Sequence, residues 1–330
     1  MTLIRSLIVT VGLALIATLS GSALAADDAA TEFREFAERM GQRHGMDRDQ
    51  VASWLSASER QQSIIDAISS PAEGLPWHRY RKIFVTSPRI NGGMQFWRRH
   101  EALLERAEAR YGVPPAVIVA ILGVETRYGQ HTGSHRVIDA LRTLAFDYPP
   151  RADFFRSELE AYLLLTSEQG IDPLTPKGSY AGALGLPQFI PSSYRAYAVD
   201  FNDNGRTDLW GETADAVGSV ANYLAEHGWR SEEPVVARAE VSGEDWRAFD
   251  TSGLKPNTTI AELRAAGIDV PSDYPDDSEA RLFVLAGEDG NQYWAARRNF
   301  YVITRYNHSA LYALAVHQLA ESIRQRREAR

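Results

Sequence analysis

Residues 114 to 129, PPAVIVAILGVETRYG, constrain this chain most, because an apolar helix of that length belongs inside a core and this one ends in a carboxylate. Pro114 and Pro115 suit a first helical turn, where a missing N–H costs little, and Gly129 suits the left-handed residue that closes a helix. Positions three, four and seven apart share a face, so the spacing sets Glu125 beside Ile118, Ile121 and Leu122. Burial and the negative end of the helix dipole both disfavour an ionised carboxyl there. Such an acid suits proton donation near neutral pH. The competing reading turns Glu125 outward at the helix end, paired with Arg127 or a distant cation.

Residues 1–26 have the layout of a secretory leader: Arg5, an apolar run from Leu7 to Leu19, and SGSALAA with an Ala-x-Ala ending at Ala25. The apolar run is short for a membrane span, which weighs against an uncleaved anchor. The chain has no cysteine, so disulfides, thiolate metal sites and a lipid-modified cysteine at the leader junction are excluded. The expected product is a soluble, exported, periplasmic protein with no stable membrane anchor once the leader is cut. Removing Arg5 with the leader takes the formal charge from −8 to −9. That balance points away from nucleic acid. About 300 mature residues bury a substantial core and allow two or three subdomains, and most of the seven Trp and 14 Tyr belong in it.

Helical spacing runs through FREFAERM (33–40), VASWL (51–55) and MQFWRRHEALLERA (94–107), with loop signals such as SSPAEGLPW between the last two. Helices joined by Gly- and Pro-rich loops continue over 111–229. The character then changes: PVVARAEV (234–241), ARLFVLA (280–286) and NQYWAA (291–296) read as strands. SALYALAVHQLAESI (309–323) reads as a final amphipathic helix and RQRREAR (324–330) as a solvated tail. The strand-rich piece at about 231–298 reads as an insertion, because so apolar a terminal helix needs the main core to pack on.

DFNDNGRTD (200–208) carries side-chain oxygens at loop positions one, three and five and Gly at six, the pattern of an EF-hand loop. Position twelve is Gly211, where a bidentate Glu is expected, so Glu212 or Asp215 would have to serve through a longer loop. Two Asn among the first ligands imply weak binding; the alternative is an Asx-rich turn holding no ion. His131 and His135 read as loop histidines, since Gly133 interrupts any helix that would align them. GSYAGALGLPQ (178–188) follows no expected strand and is no phosphate loop, although backbone at its glycines can approach a ligand closely. No GxSxG nucleophile is present. An acid, hydrogen-bonding side chains and many aromatics remain, a set that suits carbohydrate.

GVETRYG (123–129), DALRTLAFDYP (139–149), GSYAGALG (178–185), QFIPSSY (188–194), VGSVANY (217–223) and RYNHS (305–309), in this order, resemble the membrane-bound lytic transglycosylase B family, the muramidase-like enzymes of glycoside hydrolase family 103. The resemblance covers most of the mature chain. It implies a predominantly helical α+β fold: a helical N-terminal domain (27–110), a lysozyme-like catalytic core (111–230) with an EF-hand-like loop (200–215), a small inserted αβ domain (231–298), and a segment (299–330) whose helix returns to the core. It also implies that peptidoglycan glycan strands are the substrate, that other cell-wall enzymes are partners, and that chemistry needs no cofactor. Glu125 falls at the family's single catalytic acid/base. Tyr80, Arg151, Ser179, Gln188, Phe189, Tyr223, Tyr306, Asn307 and Tyr312 fall where the family lines its glycan cleft. Asp200, Asn202, Asn204, the Arg206 carbonyl and Asp215 fall at its ion site, for Ca2+ or Na+.

The chain departs from the family pattern at three points. Pro150 replaces the first of two adjacent arginines, one residue is inserted between Trp210 and Asp215, and the acylated cysteine of the founding members is missing. The implied reaction cleaves the β-1,4 bond between N-acetylmuramic acid and N-acetylglucosamine without water, leaving a 1,6-anhydro end. A hydrolytic muramidase would instead need a second carboxylate, for which Asp139 and Asp147 are nearest in sequence. A non-catalytic peptidoglycan-binding protein is the rival from another class.

Overall fold

A computed structural model of the chain describes residues 30–70 and 72–329. The expected leader lies outside them. In chain order the first helices are α1 (30–44), α2 (Arg48–Ala57), α3 (Gln62–Ile68), α4 (Trp77–Phe84), α5 (Ser87–Arg99), α6 (Glu101–Tyr111) and α7 (Pro115–Thr126). A two-residue strand β1 (His135–Arg136) leads into α8 (Val137–Asp147) and α9 (Ala152–Glu168), and β2 (Lys177–Gly178) precedes α10 (Pro191–Tyr197) and α11 (Thr213–Glu226). Then come β3 (Val236–Val241), β4 (Thr258–Thr259), α12 (Ile260–Ala265), β5 (Ile268–Asp269), β6 (Glu279–Ala286), β7 (Asn291–Ala296), α13 (Arg298–Tyr306) and α14 (Ala310–Glu328). The fold is α+β and predominantly helical.

The chain divides into two compact units. The first joins residues up to Ile65 with Arg136–Pro176. Its apolar faces meet through Phe33, Phe36, Leu55, Leu144, Leu159 and Tyr162, all buried. Asp47 starts α2 by accepting the Gln50 N–H at 2.8 Å, a cap that contributes about 1 kcal/mol. Asp139 is buried and saturated, accepting from the Glu59 N–H, Gln61 Nε2 and Arg136 Nε at 2.9, 3.2 and 2.7 Å.

The second unit holds Asp66–His135 and Lys177–Arg330. Helix α7 runs through its middle, packed against α14, α5, α6 and α11. Strands β3 to β7 form one antiparallel sheet in the order β4-β6-β7-β3-β5. Hairpin β6–β7 keeps an unbroken register from Arg281↔Ala296 to Ala286↔Asn291. Helix α12 covers the sheet through Ile260 and Leu263, and the Thr259–Glu262 capping box starts it.

The sequence pattern places the strands and the last helix, but the structure divides the helical part differently from the expected 27–110 and 111–230. A contact-dense unit assembled from two separated segments leaves no mark along the chain, and α8 and α9, which pack on each other, sit with the N-terminal helices. The expected solvated tail is also helical as far as Glu328. Arg324 there pairs with Glu321 and Glu328, and Arg327 lies 4.8 Å over the Trp97 ring while bonding Glu101. Among the described residues no single helix is long and apolar enough to cross a membrane.

Exposed ion pairs contribute little, whereas emptying a packed core leaves a cavity. Deleting residues 324–330 is therefore expected to cost at most about 1–2 kcal/mol, and Leu319→Ala, at a fully buried position of α14, about 2–5 kcal/mol. Urea denaturation of the two variants checks the order; the reverse order would mean that the charged tail anchors α14.

Candidate active site

Every residue of α7 is buried except Glu125, which is half-buried. The expected single apolar face is thus a helix enclosed all round, and its carboxylate is the one side chain that reaches partly out. The left-handed residue is not Gly129 alone. Arg127, Tyr128 and Gly129 have φ of 50°, 62° and 91°; the Arg127 N–H closes on the Gly123 carbonyl, the 5→1 bond of an αL helix ending, and the Tyr128 N–H reaches the Leu122 carbonyl. A non-glycine residue held there costs about 1–3 kcal/mol.

Two neighbours of Glu125 hold this turn. The Tyr128 hydroxyl donates to the Arg89 carbonyl at 2.8 Å, and burial pushes its pKa up, so it stays a donor. The ring lies where glycines leave room for it: a Cβ on Gly123 would stand 2.5 Å from the Tyr128 oxygen, and one on Gly93 2.7 Å. Thr126, fully buried, donates to the Leu186 carbonyl at 2.9 Å and accepts the Gly129 N–H at 3.1 Å. That bond ties the acid's turn to the glycine-rich loop. Sequence reasoning passed over Thr126 and Tyr128, although both belong to the motif that carries Glu125.

Facing Glu125 is a wall of tyrosines from three other helices. Tyr312, on α14, donates to Glu125 Oε1 at 2.5 Å. Tyr306 stacks on it at 6.4 Å and 10° between planes, and donates to the Pro187 carbonyl at 2.6 Å. Phe189 contacts Tyr306 and Tyr223 at 5.7 and 5.5 Å, and Tyr223 donates to the Arg305 carbonyl at 2.6 Å. Burial first, then the Glu125 charge, push the Tyr306 and Tyr312 hydroxyls well above their ordinary pKa. Burial likewise pushes Tyr223 up to about 12. All three remain neutral donors.

The other expected lining groups separate by role. Tyr80 is buried beside Phe84 at 5.1 Å, near enough to Tyr312 to act on its charge. Ser179 Oγ accepts the Ala181 and Ala183 N–H groups, which folds the loop onto itself. Gln188 has φ of 52° and donates both amide hydrogens, to the carbonyls of Thr132 and Gly185. Its side-chain oxygen is then the group left to receive a donor. Half-buried Asn307 ends α13, and its carbonyl accepts the Ser309 N–H at 2.7 Å. Arg151 is not in this unit; it lies in the first, 4.2 Å over Phe154. Asp139 and Asp147 lie there too, held by Arg136 and by Arg60 and Arg142.

The EF-hand-like loop closes as its pattern requires. Asp200 accepts the Asn204 and Gly205 N–H groups at 3.1 and 2.7 Å, and Gly205 at position six has φ of 91°. Asp215 is fully buried and spends both oxygens on the Phe201 and Asp208 N–H groups, each at 2.8 Å. Burial raises its pKa and those two bonds oppose the rise. Glu212 collects Asn202, Asn204 and Arg206, which hold its carboxyl below the usual range. Among the described residues no three carboxylates or imidazoles gather into a cation cage. The donors at hand are Asp200, amide oxygens, a backbone carbonyl and Glu212, a hard-oxygen set that fits Ca2+ or Na+ weakly.

Residues 28–321 match the family described as the transglycosylase SLT domain. The chain belongs to this family. It is 42% identical over 300 residues to the membrane-bound lytic murein transglycosylase B of Escherichia coli K12, covering 88% of this chain and 82% of that protein. The soluble lytic transglycosylase SltB1 of Pseudomonas aeruginosa superposes with a TM-score of 0.85 at 50% identity, covering 90% of this chain and 99% of that one. The E. coli lytic transglycosylase Slt35, solved in complex with calcium, gives 0.80 at 42% identity, with 91% and 93% covered. P. aeruginosa SltB3, in complex with NAG-anhNAM-pentapeptide, gives 0.79 at 30% identity, with 89% and 79% covered. The fold is the lysozyme-like one of these transglycosylases.

The glycine key under Tyr128 is open to test. Gly123→Ala should cost about 1–3 kcal/mol through overpacking. Added to Tyr128→Ala, which empties the space that the new methyl enters, it should cost almost nothing further. Denaturation of both single variants and the double variant decides; simple additivity would show that Gly123 serves no such purpose.

Proposed function

We infer that this protein is a peptidoglycan lytic transglycosylase, a carbon–oxygen lyase that cleaves the β-1,4 bond between N-acetylmuramic acid and N-acetylglucosamine and leaves a 1,6-anhydro end. The observation that carries the reading is a single carboxylate, Glu125, delivered by a buried helix to a wall of neutral tyrosine donors, in a chain of this family. Protonated Glu125 gives its proton to the leaving glycosidic oxygen as the bond to C1 breaks. The muramyl 2-acetamido group stabilises the cation at C1, which removes the need for a second carboxylate. Ionised Glu125 then takes the proton of the C6 hydroxyl as that oxygen bonds to C1. The residue ends as it began, protonated, and no water is consumed.

Tyr312 has two uses in this cycle: it aims Glu125 Oε1, and it donates to the carboxylate in the interval when the proton is away. Tyr80, Ser179, Gln188, Phe189, Tyr223, Tyr306 and Asn307 supply the lining of the glycan cleft. The 231–298 insertion is a small αβ domain added to the catalytic core. The substrate lies outside the cytoplasmic membrane, and the leader-like segment at 1–26 supports export to the periplasm as a soluble protein. Asp200, Asn202, Asn204, the Arg206 carbonyl and Asp215 or Glu212 hold a structural Ca2+ that takes no part in the chemistry; the calcium complex of Slt35 supports the choice of ion. The Arg206 guanidinium, 3.2 Å from Glu212, competes with such a cation and keeps its affinity low.

Glu125→Gln keeps the shape and the bond to Tyr312 but cannot cycle a proton. Muropeptide release from purified sacculi should fall by about a thousandfold or more, with binding to sacculi retained. Mass spectrometry of wild-type products should find ends one water lighter than hydrolysis gives. Unchanged release by the variant, or hydrated ends from the wild type, would overturn the assignment. For the ion, millimolar calcium added after chelation should raise the melting temperature; if nothing moves, the loop is an Asx-rich turn without an ion.

A further inference from the structure

The second unit contains a cavity of about 660 Å³ that uses none of the residues assigned to the glycan cleft. Its walls are α4, the β6–β7 turn, β3 and the part of α14 beyond Tyr312. That volume is within the range of small-ligand sites. Three contacts brace the rim: Arg81 Nε donates to Gln318 Oε1 at 2.5 Å, His78 Nδ1 meets the Ala286 carbonyl at 3.3 Å, and Lys82 pairs with Glu288. Glu321 is held by Arg324. Two charges on the lining are left over. Arg238, exposed on β3, lies 5.2 Å over the Trp294 ring and has no carboxylate or hydrogen-bond acceptor among the described residues. Asp289, exposed in the turn, has no cation there. The indole N–H of Trp294, another lining residue, is buried without an acceptor.

We propose that this cavity binds the peptide stem of a peptidoglycan strand, carboxylate toward Arg238 and amine toward Asp289. Charge makes the choice. The lining carries Arg81, Lys82 and Arg238 against Glu288, Asp289 and Glu321; Lys82 pairs with Glu288, Arg324 outside the lining takes Glu321, and Arg81 bonds a neutral amide, so Arg238 and Asp289 are the two with no hydrogen-bond or ion-pair partner among the described residues. A phosphate or polyanion meets three carboxylates, and a polycation meets three basic groups; a zwitterion satisfies both poles. A bare sugar would need open aromatic faces to stack on, and Trp77 and Trp294 are only 2% and 8% exposed. Stem peptides supply free amines, carboxylates and amides together, the last matched by Asn291, Gln292 and Gln318. The proposal rests on peptidoglycan being the substrate. Bound here, a stem would hold the wall polymer on this protein at a second point, and the two weak contacts would reinforce each other.

The test is calorimetric or NMR titration of the full-length wild-type protein with a sugar-free stem tetrapeptide containing diaminopimelate. Binding at about millimolar affinity or tighter is expected. Arg238→Ala and Asp289→Asn, both at exposed positions, should each weaken it about tenfold or more, as should amidation of the peptide carboxylates. Both variants should cleave peptide-free glycan strands like the wild type. If the two variants bind the tetrapeptide as the wild type does, or if chitotetraose displaces it, the assignment falls. If the protein cleaves no glycan yet binds the peptide with these dependences, the peptide site stands and the catalytic reading fails.

Discussion

The turn after α7 sets the position of Glu125, and it is an unfavourable turn that its surroundings compel. Three successive left-handed residues, two of them not glycine, would not hold this shape alone. Packing the Tyr128 ring against Gly92, Gly93 and Gly123 offsets part of that cost. Its hydroxyl and that of Thr126 add bonds within the core. A helix enclosed on every side thus brings its one half-buried side chain, Glu125, to an opening, and the chain then turns away abruptly.

The phenols beside the acid are hydrogen-bond donors: Tyr312 donates to Glu125 Oε1, and Tyr306 stacks on Tyr312. Tyr306 and Tyr312 are neutral, and both burial and the Glu125 charge itself keep them so. A neutral phenol supports a carboxylate when it is ionised without adding a charge of its own. That is the electrostatic condition for one residue to give and retrieve a proton in a single turnover.

Glu125 could be found from the sequence because an acid at the end of an apolar run is conspicuous. Its surroundings could not. Periodicity assigned α7 one apolar face, but in VIVAIL every position is apolar, so no pattern could tell one buried face from burial all round. Tyr223, Tyr306 and Tyr312 lie about a hundred residues or more beyond Glu125 and meet it only through packing of α11, α13 and α14; family motifs suggested them and composition did not. The long strands and the last helix were legible because alternation and helical spacing are local. The first unit, made of two pieces separated by α4–α7, was not, since nothing at positions 65 or 136 announces a boundary. The terminal arginines read as tail because a charge run looks solvated, yet Arg324 and Arg327 each find partners that extend α14.

The EF-hand-like loop and the acid, distant in sequence, are joined by short, specific bonds. Asp215 fixes the Asp208 N–H, and the next residue, Leu209, accepts the Leu186 N–H at 2.9 Å while its own N–H reaches the Tyr194 hydroxyl. Gly185 fits there because a Cβ would lie 2.2 Å from the Leu209 carbonyl. The Leu186 carbonyl takes the Thr126 hydroxyl, one residue from Glu125. Gln188, Phe189 and the Pro187 carbonyl that receives Tyr306 belong to the same stretch. Loop 200–215 therefore does for the glycine-rich segment what Tyr128 does for the turn. A loop rich in glycine has the freedom to approach a ligand closely but no stiffness of its own. Bonds to Leu209 on one side and Thr126 on the other supply it, which explains why a cation-binding pattern remote from the acid has a place in the architecture of this site.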